Sequence, residues 1–162
     1  MMRSPIEQKA IGQLDALGAR YEVLDCDPAL ADTAAFCEHY GYSPDISANA
    51  IVIASRRPQG HTCVCLGLAT TRLDVNRVVK GLMGVSKLSF ASPETTIEAT
   101  GMEIGGVTPF GLPTGLPVYV DARIPDLEKC IVGGGSRSIK ILVDPEVLSR
   151  MPGIEVVEGL AS

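Results

Sequence analysis

Residues 50–68 read Ala-Ile-Val-Ile-Ala-Ser-Arg-Arg-Pro-Gln-Gly-His-Thr-Cys-Val-Cys-Leu-Gly-Leu, and this stretch carries the clearest structural pattern in the chain. Ala50–Ala54 is apolar and rich in β-branched side chains, which is typical of a strand buried on both faces. Arg56–Gly60 has the residues of a turn, and His61–Leu68 is a second strand candidate. The stretch therefore predicts an antiparallel hairpin near the centre of a sheet.

Helices and further strands are predicted on both sides of this hairpin. A serine followed by proline and glutamate occurs twice, and this is the pattern of a capped helix start. We expect helices to begin near Ser4, Asp32 or Thr33, Asp74, Ser92 and Pro145. We expect other strands at Tyr21–Leu24, Lys87–Ala91, Val118–Val120, Cys130–Val132, Ile139–Val143 and Ile154–Val157. This irregular order predicts one compact α/β (mixed α+β) domain, residues 1–162, whose mixed, mostly antiparallel sheet is flanked by helices.

The composition limits the classes of partner. The chain has 162 residues, a formal net charge of -5 and a pI near 5.0, so as a whole it would repel long stretches of nucleic acid backbone. Contact with a short nucleic acid end stays open, because local basic clusters decide such contacts. No apolar run approaches the roughly 20 residues of a membrane-spanning helix. We therefore expect a soluble, cytoplasmic protein that binds neither DNA nor a membrane.

Five cysteines are scattered along the chain without the paired spacing of a zinc site or the density of a disulfide scaffold. Cys63 and Cys65 would point to one face of a strand, and only His39 and His61 could join them as metal ligands. Buried structural thiols are the favoured interpretation. We expect reduced cysteines, no bound metal and no cofactor.

Two glycine-rich loops are the candidate functional segments. The first, Gly105–Pro113, could present bare N–H groups to a ligand, although its composition by itself favours a tight connection between a helix and a strand. The second, Gly133–Ser138, could hold an anion through backbone amides, with Arg137 as the countercharge. It matches neither the phosphate-binding P-loop nor the dinucleotide-binding pattern, and a bend between strands is the alternative.

An ordered set of motifs is similar to a known family. The set comprises ANAIVIAS (48–55), LATTRLDVNRV (68–78), KLSFASPE (87–94), TGMEIGGVTPFGLP (100–113), VYVDARI (118–124) and VGGGSRSIKILVDPEVL (132–148). Together they resemble the YbaK-type family of stand-alone editing domains, whose relatives also occur as insertions in prolyl-tRNA synthetases. The resemblance runs over nearly the whole chain. It implies a compact mixed α/β domain that hydrolyses the ester between a wrong amino acid and the 3′ end of a tRNA.

The resemblance also implies site residues. In the family, the loop that matches the first glycine-rich segment lines the pocket, and its main-chain N–H groups hold the ester carbonyl. Preorganised donors at that place would stabilise an oxyanion. The catalytic segment implied is Gly105, Gly106, Val107, Thr108 and Pro109. The substrate-binding residues expected are Asn49, Asp121, Gly134, Gly135, Ser136 and Arg137. Asp121, at the end of a strand beside the loop, would orient a substrate amine or cap a turn.

One position departs from the pattern. Asn49 stands where family members known as deacylases usually carry a lysine, and an amide can donate hydrogen bonds but supplies no positive charge. The chain is thus either an editing hydrolase with altered amino-acid specificity or a module that binds an aminoacyl or nucleotide end without cleaving it. The partners expected are the tRNA acceptor end and an aminoacyl-tRNA synthetase.

Overall fold

The computed structural model describes residues 3–162, and within that range it contains four α-helices and eight strands. The helices are α1 (Pro5–Ala16), α2 (Thr33–Tyr40), α3 (Lys80–Met83) and α4 (Pro93–Thr100). The strands are β1 (Tyr21–Asp25), β2 (Ala48–Arg57), β3 (Gln59–Leu68), β4 (Lys87–Phe90), β5 (Val118–Asp121), β6 (Cys130–Gly133), β7 (Ile139–Val143) and β8 (Ile154–Val157). Two expected helices take other forms: a π-helical turn at Val75–Val79 precedes α3, and Pro145–Ser149 is a 3₁₀ helix.

The strands form two sheets, and the expected mixed, mostly antiparallel architecture is confirmed. One sheet has three strands in the order β1-β7-β6, and the other has five in the order β4-β2-β3-β5-β8. Four strand pairs are antiparallel, whereas β5 runs parallel to both β3 and β8. A single parallel bridge between Ser47 and Ile131 brings the start of β2 against β6. The two sheets therefore meet at the beginning of the predicted hairpin.

The hairpin itself is formed by β2 and β3, and both strands are internal to the five-stranded sheet. Ile51 pairs with Cys65 and Val52 with Val64, and the turn contains a cis peptide bond before Pro58. Val52 and Val64 face the larger hydrophobic cluster, whereas Ile51 and Cys65 belong to a second cluster on the other face of the sheet. The apolar pattern of this stretch thus reflects burial on both sides.

Helix α1 shows how the local signals at a helix start act. The Ser4 hydroxyl accepts a hydrogen bond from the Glu7 amide at 3.3 Å, and the Glu7 carboxylate accepts one from the Ser4 amide at 2.7 Å. Both donors would otherwise be without partners in the first turn. Ala10 and Leu14 lie one turn apart and are fully buried in the main core. No helix within residues 3–162 has the length and hydropathy that crossing a membrane would require.

Candidate functional site

A gap in the pairing of β2 opens a cleft that contains Asn49, Gly105 and Val107 of the expected site, and we call it the main cleft. The first residues of β2 pair with β3 on one side only. On the other side, β4 pairs with β2 only from Ile53 onward, and β6 is bridged to Ser47, the residue just before β2. Between these two points the edge of β2 at Asn49–Ile51 is left without a neighbouring strand. An unpaired edge presents backbone hydrogen-bonding groups, so this is a place where a ligand can bind.

The main cleft has a volume of about 460 Å³. Its walls come from the start of α2, the start of β2, the Gly105 loop, the end of β6 and one side chain of β7. The lining residues include Asp32, Thr33, Ala34, Asn49, Ala50, Ile104, Gly105, Val107, Gly133 and Lys140. Small side chains predominate, which leaves room for a group of moderate size with a few polar partners around it.

Asn49 lies in the main cleft, and its side chain is oriented by helix α2. The Thr33 hydroxyl donates a hydrogen bond to the Asn49 side-chain oxygen. With that oxygen occupied, the Nδ2 group is the part of the amide left to bind a ligand, and it has no acceptor within residues 3–162. Asn49 is therefore held as a hydrogen-bond donor.

The predicted catalytic segment is divided by the structure. Gly105 and Val107 line the main cleft, and neither amide has an acceptor in the described part of the chain. The Gly106 amide donates to the Glu103 carbonyl at 2.9 Å, so it serves the turn itself. Thr108 is fully buried, and Pro109 faces a separate groove. Only two of the five residues are therefore in reach of a ligand in this cleft.

The second glycine loop packs against the first and does not line the main cleft beyond Gly133. Gly135 donates to the Gly106 carbonyl at 2.7 Å, and a Cβ at Gly134 would come within 2.4 Å of the Ile139 side chain. Ser136 donates to the Glu7 carboxylate at 2.6 Å. These contacts give the loop a part in the fold, the alternative that the sequence had left open.

Arg137 holds loops together. Its guanidinium donates to the Pro28 and Ile104 carbonyls at 3.1 and 3.0 Å and lies 3.4 Å from the Asp32 carboxylate. Asp32 and Ile104 line the main cleft, so Arg137 stands behind its wall.

Asp121 lies away from the main cleft. It is 1% exposed, and its carboxylate accepts hydrogen bonds from the Ala161 amide at 3.0 Å and from Arg123 Nε at 3.1 Å. These contacts fasten the end of the chain to β5. The geometry corresponds to the turn-capping interpretation of this residue.

Lys140 is a cleft residue that sequence reasoning missed. It is 7% exposed, and its Nζ donates to the Gly105 carbonyl at 3.2 Å and lies 5.8 Å from the centre of the Phe36 ring. Burial lowers the pKa of this ammonium below its usual value. The signal was available, because a lysine inside the apolar run Ile139–Val143 has to be buried if that strand is covered on both faces.

An adjoining cleft of about 490 Å³ shares Asn49 and Ile51 with the main cleft. Arg72 and Asn76 lie on its rim, and Phe90 lines it with 60% of its surface exposed. An exposed aromatic ring in a cleft that also holds a cation offers a surface on which a planar base can stack. Asn49 thus stands where the two clefts meet.

The cysteines are buried and lie outside both clefts. Cys63 and Cys65 are fully buried with their sulfur atoms 3.9 Å apart, and this contact, together with burial, raises the pKa of the Cys65 thiol. Burial also raises the pKa of Cys130 to about 12. In residues 3–162 no group of three or more His, Cys, Asp or Glu side chains has the arrangement of a metal site.

Comparison with known proteins gives one family and several similar folds. Residues 27–151 match the family model described as an aminoacyl-tRNA editing domain. The uncharacterized protein YwhH of Bacillus subtilis (strain 168) is 40% identical over 64 residues, which are 40% of this chain and 41% of YwhH. The matched segment therefore spans less than half the length of that relative.

Two solved structures share the fold over almost their whole length. A protein provisionally described as a trans-editing enzyme for prolyl tRNA synthetase has a TM-score of 0.77 at 24% identity, covering 97% of this chain and 98% of that one. The hypothetical protein APE2540 has a TM-score of 0.82 at 23% identity, covering 95% and 99% of the two chains. At such identities the likeness is one of fold.

Proposed function

Because this chain belongs to the aminoacyl-tRNA editing domain family, we propose that it is a trans-acting deacylase that hydrolyses the ester of a mischarged tRNA 3′ end. Its substrate partner is the acceptor end of an aminoacyl-tRNA. We further propose that it works in the cytoplasm, alongside an aminoacyl-tRNA synthetase whose errors it removes. The family match supports a role in aminoacyl-tRNA editing. Hydrolysis of the ester by this chain is what we propose.

The observation that carries the proposal is the meeting of two clefts at Asn49. In the proposed complex the terminal base stacks on Phe90 in the adjoining cleft, with a phosphate near Arg72. The aminoacyl group enters the main cleft, so the ester bond lies beside Asn49. The Nδ2 group of Asn49 then donates to a ribose oxygen.

The chemistry is a water attack on an activated carbonyl. The water oxygen bonds to the ester carbon, and the carbonyl oxygen becomes an oxyanion within reach of the Gly105 and Val107 amides. Collapse of this intermediate breaks the bond to the ribose oxygen, which takes up the proton that the attacking water gives up, and releases the free amino acid. The neighbouring ribose hydroxyl orients the water. Losing one oxyanion donor in such a site costs about 100- to 1000-fold in rate.

A second candidate function rests on Asn49. Since an uncharged amide stands at this junction, the chain is alternatively a module that binds an aminoacyl or nucleotide end without cleaving it. Such a module would use the same two clefts. Only turnover separates it from a hydrolase.

The experiment is a panel of purified aminoacyl-tRNAs, with loss of the ester followed against a buffer control. A deacylase accelerates the loss for at least one amino acid. Ala34→Phe fills the mouth of the main cleft from an exposed position and should abolish that activity. Ala16→Phe adds the same ring to the exposed end of α1 and should leave it unchanged. Tight binding of charged tRNA without turnover on any substrate would favour the second candidate.

A further inference from the structure

The main cleft contains a buried cation without a matching anion. The Lys140 ammonium has three N–H donors, and its one hydrogen bond within residues 3–162 goes to the neutral Gly105 carbonyl. No carboxylate of the described residues forms an ion pair with it. A buried charge with this little compensation is costly, which identifies the end of the cleft near Lys140 as a place for an anionic group.

The surroundings of Lys140 add positive charge. The charged side chains that act on it are Arg137, which lowers its pKa, and Asp32, which raises it. Asp32 is itself 3.4 Å from Arg137 and has a largely exposed side chain. Two cations and one anion leave this end of the cleft with a net charge of one positive unit. The Lys140 ammonium lies over the face of the Phe36 ring.

Lys140 is at a distance from the position proposed for the ester. Asn49 on β2 and Gly133 on β6 are each two residues beyond the parallel bridge that joins Ser47 to Ile131. Gly133 pairs with Lys140 on β7. Because β2 and β6 are not paired beyond this bridge, the backbones of Asn49 and Lys140 are separated by at least two strand spacings, roughly 10 Å. We take an aminoacyl group with its ester at Asn49 to extend its side chain along this cleft toward Lys140.

We propose that Lys140 makes the main cleft selective for an aminoacyl group with a carboxylate side chain, aspartyl or glutamyl. The inference rests on the proposed function in taking the ligand to be an aminoacyl ester. Such an ester carries an α-ammonium group, so an ordinary aminoacyl group brings a further positive charge to a cleft that is already positive. An acidic side chain cancels that charge and gives Lys140 the anion that the fold does not supply.

The test is binding of aminoacyl-adenosine analogues in which an amide replaces the ester, so that nothing is hydrolysed. The aspartyl and asparaginyl analogues differ by one charge at nearly equal shape. Isothermal titration should give about 10- to 100-fold tighter binding of the aspartyl analogue, the range of a charge-assisted hydrogen bond. Lys140→Met should remove this preference and leave asparaginyl binding within about threefold, whereas the exposed-site control Lys9→Met should keep it.

Three outcomes would overturn the inference: equal binding of the aspartyl and asparaginyl analogues by the wild type, equal weakening of both by Lys140→Met, or binding of neither analogue. Equal weakening would mean that Lys140 contacts a group that all aminoacyl esters share.

If Lys140→Met does not fold, the comparison of aspartyl and asparaginyl binding by the wild type is sufficient to test the inference. Cleavage of aspartyl- and alanyl-tRNA is measured in parallel. Tighter binding of the aspartyl analogue without cleavage of either tRNA would contradict the deacylase proposal but not this inference. Cleavage without a preference for the acidic side chain would contradict this inference but not the deacylase proposal.

Discussion

The Ser136 hydroxyl donates a hydrogen bond of 2.6 Å to the Glu7 carboxylate, although the two residues are 129 positions apart. Glu7 is also the acceptor for the Ser4 amide at the start of α1. One carboxylate thus caps the first helix and fastens the second glycine loop to it. Because that loop packs against Gly106, the shape of the main cleft depends on a contact outside it.

Replacing Glu7 with Gln should destabilise the protein by about 1.5 to 3 kcal/mol at neutral pH, the range for hydrogen bonds to a charged group. Burial by itself raises the pKa of Glu7, but the hydrogen bonds from Ser136 and Ser4 outweigh it, and the net pKa is lowered from 4.5. A lowered folded pKa stabilises the fold above the unfolded pKa, and this contribution is lost as the pH falls through the folded value.

Urea unfolding of the wild type and Glu7→Gln across this pH range measures the effect. The difference in unfolding free energy should shrink toward acid. Glu98→Gln, at an exposed site on α4, is the control and should have little effect at any pH. A difference between wild type and Glu7→Gln that stays constant down to strongly acidic pH would contradict the assignment.

Asn49→Asp should impair substrate binding more than Asn49→Ala does. Alanine removes one neutral donor, worth roughly 0.5 to 1.5 kcal/mol or about 2- to 13-fold. Aspartate also turns the Nδ2 donor into an anion facing a ribose oxygen, while still accepting from Thr33. Dissociation constants for the amide-linked analogues provide the measurement. Wild-type affinity in both variants would mean that Asn49 makes no contact with the ligand.

Gly106→Ala should destabilise the fold by about 1 to 3 kcal/mol, as overpacking does. An added Cβ would lie 2.6 Å from the backbone of Ser136, so the two glycine loops would have to separate. Gly12→Ala is the matched control, because nothing lies within 4 Å of its Cβ position and alanine favours a helix by about 1 kcal/mol. Thermal unfolding followed by circular dichroism should show a lower Tm for Gly106→Ala and a higher Tm for Gly12→Ala than for the wild type. An unchanged Tm for Gly106→Ala would mean that the two glycine loops can separate without a loss of stability.

Asp121→Ala should lower stability by about 2 to 4 kcal/mol and leave analogue affinity unchanged. The substitution leaves the Ala161 amide and the Arg123 guanidinium without their acceptor on β5. Calorimetric unfolding and titration with the analogue report the two quantities separately. A large loss of affinity with normal stability would return Asp121 to the substrate-binding set that the sequence suggested.

The sequence by itself determined the local elements, the fold class and the family. Ser4 with Glu7, Ser92 before proline, and the left-handed glycines 41 and 101 begin or end helices through contacts within a few residues. The hairpin followed from apolar residues that had to be buried on both faces. The motif at residues 100–111 indicated the family, and the match to the editing-domain family confirms it.

The composition of the cleft was decided by the tertiary structure alone. Lys140 reaches the Gly105 loop because β7 lies beside β6, and Thr33 orients Asn49 because α2 begins above β2. Glycines 106, 134 and 135, which the sequence assigned to a ligand, instead allow close packing within the fold, because a Cβ at these positions would meet Ser136, Ile139 and Ile6 respectively. Capping and periodicity act within a few residues and can be read along the chain. Which side chains share a cleft depends on strand order, and strand order is fixed by contacts between residues far apart in sequence.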